Sequence, residues 1–153
     1  SLKMTTPTLE TRWLMTLRGT VTTPIAVPPL LIFNVDEASI DCPRIKAKTI
    51  NPSGDWIRVQ PNGNWKLDVR LLFMTDDNEA IYCHYNGVLK MQPGLEARIT
   101  SGEVVPGSDL YFRSAPFFET ASKKYGWLND LLAVGKITSF GGGQVVYDIF
   151  EVL

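Results

Sequence analysis

The stretch WKLDVRLLFM, residues 65–74, decides the fold of this 153-residue chain. Its side chains alternate between two faces, as they do in a β-strand that is buried on one side. One face carries five large apolar side chains, Trp65, Leu67, Val69, Leu71 and Phe73. The polar stretch 75–79 then turns the chain, so residues 80–88 are predicted to return as an antiparallel partner strand.

The length of this turn sets the pairing of the two strands. With five residues in the turn, Met74 faces Ala80 and, further back, Arg70 faces His84. Cross-strand neighbours lie close enough for their side chains to interact. The even-numbered face of the two strands is open to two interpretations: it is exposed to solvent, or it lines the lumen of a closed barrel. The face gathers five polar side chains, Asp68, Arg70, Tyr82, His84 and Asn86.

Most of the remaining chain is also predicted to be strand. A short helix is predicted over residues 93–102, with Leu95 and Ile99 packed on the sheet. Pro116 is expected to make a corner, and the glycine run 141–143 a hairpin turn rather than a phosphate loop. Roughly nine strands at this spacing predict an all-β protein, an antiparallel barrel or sandwich. Further strands are expected at 11–21, 30–35, 38–49, 56–59, 110–114, 131–139 and 145–152, with a turn at 51–54.

The predicted domain organisation is simple. A chain of 153 residues is long enough for one hydrophobic core. Residues 1–10 are small and polar and are predicted to be a flexible N-terminus. Residues 11–153 are predicted to form a single β-barrel domain.

The segment YFRSAPFFETASKKYGWLN, residues 111–129, concentrates aromatic side chains together with Arg113, Glu119 and Asn129. Aromatic rings bring the largest apolar area per residue, whereas these three polar groups need hydrogen-bond partners wherever they are buried. Two interpretations fit: the segment lines a pocket, or it forms a strand and a helical turn that plug one end of a barrel.

Composition argues against several classes of function. Fifteen Lys and Arg against sixteen Asp and Glu give a net charge of −1, which favours neither nucleic acid nor an anionic membrane as a partner. Cys42 and Cys83 stand far apart and His84 is the only histidine, so neither a Cys/His metal site nor a cofactor site is expected. No apolar run is long enough to span a bilayer, and the pattern predicts a soluble, cytoplasmic protein.

Several phrases occur together in the order typical of one family. They are GDW at 54–56, PNG at 61–63, LDVR at 67–70, TDD at 75–77, YFRSAPFFET at 111–120 and YGWLN at 125–129. In this combination the chain resembles the DUF3237 (UPF0311) family of small β-barrel proteins. The resemblance covers about residues 40–152 and implies a calycin-like antiparallel barrel of about eight to ten strands with a lumen for a small ligand.

Some fungal members of that family resemble cofactor-free cyclases of polyketide and meroterpenoid pathways, which add a phenol oxygen across an alkene. The resemblance therefore implies an acid–base enzyme of secondary metabolism that acts on an apolar aromatic molecule. Such a reaction needs a proton donor, a base and a dry pocket that stabilises a cation. Asp68 or Glu119 is the candidate acid, and Arg70 and Arg113 either hold a phenolate or form structural ion pairs with these carboxylates. The candidate substrate-binding residues are Trp56, Tyr82, His84, Tyr111, Phe118, Trp127 and Asn129.

Two other functions stay open at this point. The barrel could carry a hydrophobic ligand without transforming it, or it could serve as a structural or homo-oligomeric component with a lumen filled by its own side chains. A carboxylate that points into an apolar lumen favours the enzyme, because a carrier has no use for an unpaired buried charge.

Overall fold

The computed structural model describes residues 5–153, which form eleven strands and one short α-helix. Residues 1–4 of the predicted flexible N-terminus lie outside the described residues, and residues 5–10 contain no strand. The strands are β1 (Thr11–Thr20), β2 (Ile25–Val27), β3 (Leu30–Asn34), β4 (Glu37–Cys42), β5 (Ile45–Val59), β6 (Trp65–Thr75), β7 (Ala80–Leu89), β8 (Val105–Pro106), β9 (Phe112–Glu119), β10 (Ala133–Gly141) and β11 (Gln144–Val152). The helix α1 spans Leu95–Thr100.

Eight of the strands close into an antiparallel barrel, in the order β1-β4-β5-β6-β7-β9-β10-β11. Pairing of β11 with β1 and of β5 with β6 completes the circle. The short strands β2, β3 and β8 are additions to it. The predicted all-β antiparallel barrel with one short helix is therefore confirmed. Within residues 5–153, no helix is long and apolar enough to cross a membrane.

The hairpin of β6 and β7 has the predicted register. Met74 pairs with Ala80, and Arg70 pairs with His84. The odd-numbered face of β6 points inward, where Leu67 and Phe73 are 4% and 0% exposed. Clean alternation over this strand was enough to orient it, because a shift of one residue would place the whole apolar row in water.

The single strand predicted over residues 38–49 is wrong, because the chain turns in its middle. Residues 43 and 44 form a tight turn between β4 and β5, so that Cys42 pairs with Ile45. Both strands bury alternate apolar residues, Ile40 and Cys42 before the turn and Ile45 and Ala47 after it. The apolar pattern hides the turn, and Pro43 was its one signal.

The turn predicted at 51–54 is also wrong: β5 continues through this segment as a bulge. The pairing with β6 shifts by two residues between Ile50 and Gly54. Ser53 occupies the bulge, where its hydroxyl accepts a hydrogen bond from Leu72 N at 2.9 Å and donates one to Ile50 O at 2.8 Å. These bonds replace ladder bonds that the bulge interrupts, which lets the strand run on.

Pro116 does not make a corner but lies buried inside β9, opposite Tyr85 on β7. The ladder between β9 and β10 includes Arg113 and Ser114 and ends there. Proline is tolerated where one edge of its strand is unpaired. The proline therefore marks the place where β9 and β10 separate.

The two ends of the barrel differ. At one end the 3₁₀ turn Gly126–Asp130 places Leu128 in the core at 1% exposure, and Tyr125 Oη donates to Asp77 Oδ1 at 2.9 Å. Asn129 exchanges two hydrogen bonds of 2.9 Å with the backbone of Thr120. This end is plugged, as one of the two interpretations of residues 111–129 predicted. At the opposite end, α1 buries Leu95 and the hairpin turn at 142–143 closes β10 and β11.

Ser53→Ala should destabilise the protein by about 1–3 kcal/mol, because the substitution leaves Leu72 N–H without its acceptor. Chemical denaturation would measure the change in the free energy of unfolding. Ser108→Ala, at an exposed position, is the matched control. Equal stability of the two variants would mean that the Ser53 hydroxyl does not hold the bulge.

Candidate functional site

The barrel contains a cavity of about 80 Å³ in the half nearer to α1. Its wall is almost entirely apolar, and Asp55 is the only charged side chain that lines it among the described residues. The principal side chains of the wall are Leu17, Phe33, Asp55, Ile57, Trp65, Leu67, Val69, Leu71, Tyr85, Phe112, Phe140, Val145 and Tyr147.

Asp55 points inward because the bulge in β5 leaves the alternation of the strand unchanged. A shift of two residues preserves the period-two alternation, so the odd-numbered residues that face the core before the bulge continue to do so after it. Asp55 pairs with Val69 on β6 and Phe33 on β3, and both of these side chains line the cavity.

The neighbours of Asp55 in the GDW phrase lie on the outside of the barrel. A Cβ atom at Gly54 would lie 3.1 Å from the ring of Trp56, so the glycine leaves room for this ring to fold over it. Trp56 is 37% exposed and does not line the cavity. In the GDW phrase, Gly54 and Trp56 are therefore in contact on the outside of the barrel, and the Asp55 side chain between them points inward.

Burial controls the ionisation of Asp55. It raises the pKa of this carboxyl to about 7, and hydrogen bonding to the backbone of Asp68 offsets part of the effect. Asp55 Oδ1 is buried and has no hydrogen-bond partner within residues 5–153. The side chain is therefore divided between its acid and its base form near neutral pH, which suits a group that gives and takes protons.

Tyr85 and Tyr147 add two hydroxyl groups to the same cavity. Burial raises the pKa of both phenols well above the ordinary value, and the charge of Asp55 raises each further. Their rings meet edge to face with centroids 5.9 Å apart, and Tyr147 also packs on Phe112 at 5.3 Å. Among the described residues, Tyr147 Oη is the other buried side-chain oxygen without a partner. The cavity thus offers a ligand the carboxyl of Asp55 and the hydroxyl of Tyr147.

The predicted cluster on β6 and β7 exists, on the outer surface. His84 Nε2 lies 3.1 Å from Asp68 Oδ1, and Arg70 Nε lies 3.9 Å from the same oxygen. The Arg70 and His84 side chains are 60% and 37% exposed. Of the two alternatives for this face, the structure shows the solvated one. Tyr82 shares this face and pairs with Glu119 on β9.

The predicted residues of β9 and its flanks also lie away from the cavity. Arg113 stacks over the ring of Tyr111 at 4.8 Å, and Tyr111 is 41% exposed. Glu119 is exposed and forms no ion pair with Arg113 within the described residues, in contrast to one of the expected pairs. The other expected pair, Asp68 with Arg70, is present.

The three remaining predicted residues belong to the plugged end. Phe118 faces inward at 4% exposure, opposite Cys83, and is not part of the cavity wall. Trp127 lies beneath the guanidinium of Arg44 at 3.5 Å. Asn129 holds the loop at Thr120, as described above. The contacts of these three residues stabilise the plugged end of the barrel.

Sequence reasoning missed Asp55, Tyr85 and Tyr147. The signal for Asp55 was present, since Asp55, Ile57 and Val59 continue the odd-numbered face of Ile45 and Ala47. The Asn-Pro-Ser-Gly run at 51–54 resembles a turn and concealed this continuity. Tyr85 lies on the apolar face of β7, where the sequence pattern does not distinguish a tyrosine that lines a cavity from one that packs in the core.

A metal centre would need several ligands in one place. Within residues 5–153, no three His, Cys, Asp or Glu side chains come together in a way that could hold a metal ion.

These features define an eight-stranded antiparallel β-barrel with an interior cavity. The family model described as "Protein of unknown function (DUF3237)" matches residues 5–152, and the chain belongs to this family.

Known proteins share both the sequence pattern and the fold. A UPF0311 protein of Rhodopseudomonas palustris strain TIE-1 is 29% identical over 153 residues, covering 97% of this chain and 99% of the relative. The crystal structure of a conserved protein of unknown function from Rhodopseudomonas palustris, 28% identical, matches with a TM-score of 0.89 over 97% of this chain and 100% of that one. An enzyme from Penicillium herquei, 15% identical, shares the fold with a TM-score of 0.67 over 99% of this chain and 100% of that one.

Asp55→Asn should stabilise the protein increasingly as the pH rises. The folded protein holds the Asp55 proton more tightly than the unfolded chain, so the wild type loses stability from the ordinary pKa of 3.8 up through about 7. The stability advantage of Asp55→Asn should grow by roughly 3 kcal/mol between about pH 5 and about pH 8.5, measured by chemical denaturation.

The control for this prediction is Asp41→Asn, which changes an exposed carboxylate on the outer face of β4. Its stability relative to wild type should show no comparable gain over the same interval. A pH-independent effect of Asp55→Asn would contradict the raised pKa.

Proposed function

We propose that this protein is a cofactor-independent enzyme that protonates an apolar aromatic molecule in the barrel, with Asp55 as the general acid. The observation that carries the proposal is the position of Asp55, a lone carboxyl in an apolar cavity whose Oδ1 has no partner among the described residues. Its pKa of about 7 makes it an effective proton donor at neutral pH. A carboxyl in this position supports an enzyme over a carrier, because an unpaired buried charge is costly and a carrier has no use for it.

The reaction that best suits one carboxyl is intramolecular hydroalkoxylation, the addition of a phenol O–H across an alkene. Asp55 gives its proton to one alkene carbon, and the π bond breaks to leave a cation on the other carbon. The phenol oxygen attacks that carbon to form the new C–O bond, and the phenol proton returns to the Asp55 carboxylate. The product is an isomer of the substrate, and the acid is regenerated without a co-reactant.

The cavity wall supplies the environment for this sequence. Aromatic faces attract a positive charge, and the rings of Trp65, Tyr85 and Phe112 all line the cavity. An apolar wall also keeps water away from the cation, which water would otherwise capture. Tyr147 Oη can donate a hydrogen bond to an oxygen of the substrate and so orient it.

The fold is compatible with catalysis, since an enzyme from Penicillium herquei has the same architecture. Both cysteines of the chain are free and buried, which fits the cytoplasmic location that we propose along with this function. Transport of an apolar ligand is the alternative, favoured by the almost entirely apolar wall of the cavity, and the next experiment separates the two.

Asp55→Asn should lower turnover of prenylated phenols by about 10²–10⁴-fold, the range expected for loss of a general acid. The measurement incubates the purified protein with a panel of prenylated phenols and aromatic polyketides without cofactor and follows cyclised products by mass spectrometry. Asp76→Asn, an exposed carboxylate at the other end of the barrel, is the control.

The same panel tests the sequence-derived candidates. Loss of turnover in Asp68→Asn or Glu119→Gln, with retention in Asp55→Asn, would move the acid to the outer surface and overturn the assignment. Ligands that bind the wild type and emerge unchanged would identify a carrier.

The acid role also fixes the sign of the pH dependence. Because Asp55 must be protonated to act, kcat/KM should be constant in moderately acidic buffer and fall about tenfold per pH unit above the pKa of about 7. A profile that instead rises through neutrality would assign the carboxylate a base role. Steady-state kinetics over this interval, with thermal denaturation at each pH, would separate titration from unfolding.

A further inference from the structure

A second cavity of about 380 Å³ lies at the end of the barrel near α1, and we call it the vestibule. The vestibule wall contains no charged side chain among the described residues. It is formed by residues 21–24, Phe33, Trp65, Ile99, Gly102 and residues 140–144. A wall of this composition suits a neutral, apolar occupant.

The vestibule and the inner cavity meet at one layer of side chains. Val21, Phe33, Trp65 and Phe140 line both spaces. Within this layer Trp65 and Phe140 stand edge to face with centroids 6.3 Å apart. The aromatic layer therefore separates a region that contains Asp55 from a region without ionisable groups.

The vestibule wall is held in place by hydrogen bonds. Val21 N donates to Gly143 O at 2.7 Å, and Thr22 Oγ1 donates to Asn34 O at 3.1 Å. Ile99 projects from α1, which the buried Leu95 anchors to the core. These contacts connect the loop at 21–24, the hairpin turn and the helix to the barrel.

The volumes of the two spaces indicate that a ligand of substrate size needs the vestibule. The inner cavity of about 80 Å³ is smaller than the pockets of roughly 300–1,000 Å³ that hold drug-sized ligands. The inner cavity and the vestibule of about 380 Å³, taken together, reach that range. A ligand of substrate size must therefore extend past Trp65.

We propose that the vestibule is the subsite for the hydrocarbon tail of an elongated, uncharged substrate whose oxygen-bearing head lies beside Asp55 and Tyr147. The inference rests on the proposed function for its choice of head group. An anionic head is disfavoured because no Lys, Arg or His among the described residues lines either space, and an unpaired buried charge is costly. The substrate class is thus a neutral aryl alcohol with a linear or branched hydrocarbon chain.

Equilibrium binding of a 4-alkylphenol series tests this subsite without requiring turnover. Titration calorimetry with chains of increasing length should show Kd falling about fourfold per methylene until the vestibule is full. Ile99→Trp, which fills the vestibule, should remove this gain for long chains and leave the Kd of unsubstituted phenol unchanged. Thr23→Trp places a similar ring in the same wall from an exposed loop position and should act in the same way.

Leu132→Trp, at a 60% exposed position near the plugged end, is the matched control and should bind the whole series as the wild type does. Equal Kd values for short and long chains in the wild type would overturn the subsite, as would an unchanged length dependence in both vestibule variants. Absence of binding at every length would overturn the lumen site together with it. Length-dependent binding without any cyclisation of prenylated phenols would instead retain the subsite and reject the proposed enzyme.

Discussion

The inward position of Asp55 depends on the alternation of β5 being preserved across its bulge, where the pairing with β6 shifts by two residues. A shift of one residue would have turned Asp55 to the solvent and Trp56 to the lumen. Ser53 stabilises the two-residue form because its hydroxyl bonds both to β6 and to the start of the bulge. The even register shift therefore keeps the carboxyl of Asp55 in the cavity.

A carboxyl in this position costs stability, and the rest of the barrel offsets that cost. The half of the barrel near the plugged end is packed with fully buried side chains such as Phe73, Ile81 and Leu128. The cavity and the vestibule lie in the opposite half, and they share the aromatic side chains Phe33, Trp65 and Phe140. The cavity therefore lies away from the closely packed side chains at the plugged end.

The sequence predicted those parts of the fold in which one periodicity runs without interruption. The register of the β6–β7 hairpin was predicted to the residue because its alternation is clean and its turn is short. The predictions at Pro43 and at residues 51–54 were wrong for opposite reasons. At Pro43 the apolar residues on both sides hid a tight turn, and at 51–54 a bulge was mistaken for a turn. The second error also affected the predicted site. Because the turn at 51–54 was expected to interrupt the strand, Asp55 was not recognised as an inward-facing residue of β5. The polar cluster of Asp68, Arg70 and His84 was predicted correctly as a cluster, but sequence alone cannot distinguish the inside of a barrel from the outside.

Two aspartates show why position, rather than residue type, determines the chemistry of this barrel. Asp77 lies at the plugged end, where hydrogen bonds from Lys124, Thr75 and Tyr125 hold the pKa of its carboxyl well below the usual range. It stays ionised, and its bonds join the 76–79 turn to the plug. Asp55 has no such partner for Oδ1 within the described residues, and burial moves its pKa in the opposite direction. A carboxylate surrounded by hydrogen-bond donors is a structural anchor, because the donors stabilise the ionised form and lower its pKa. A carboxyl surrounded by hydrocarbon keeps its proton to a higher pH, and this property makes Asp55, rather than the more conspicuous surface charges, the centre of the proposed site.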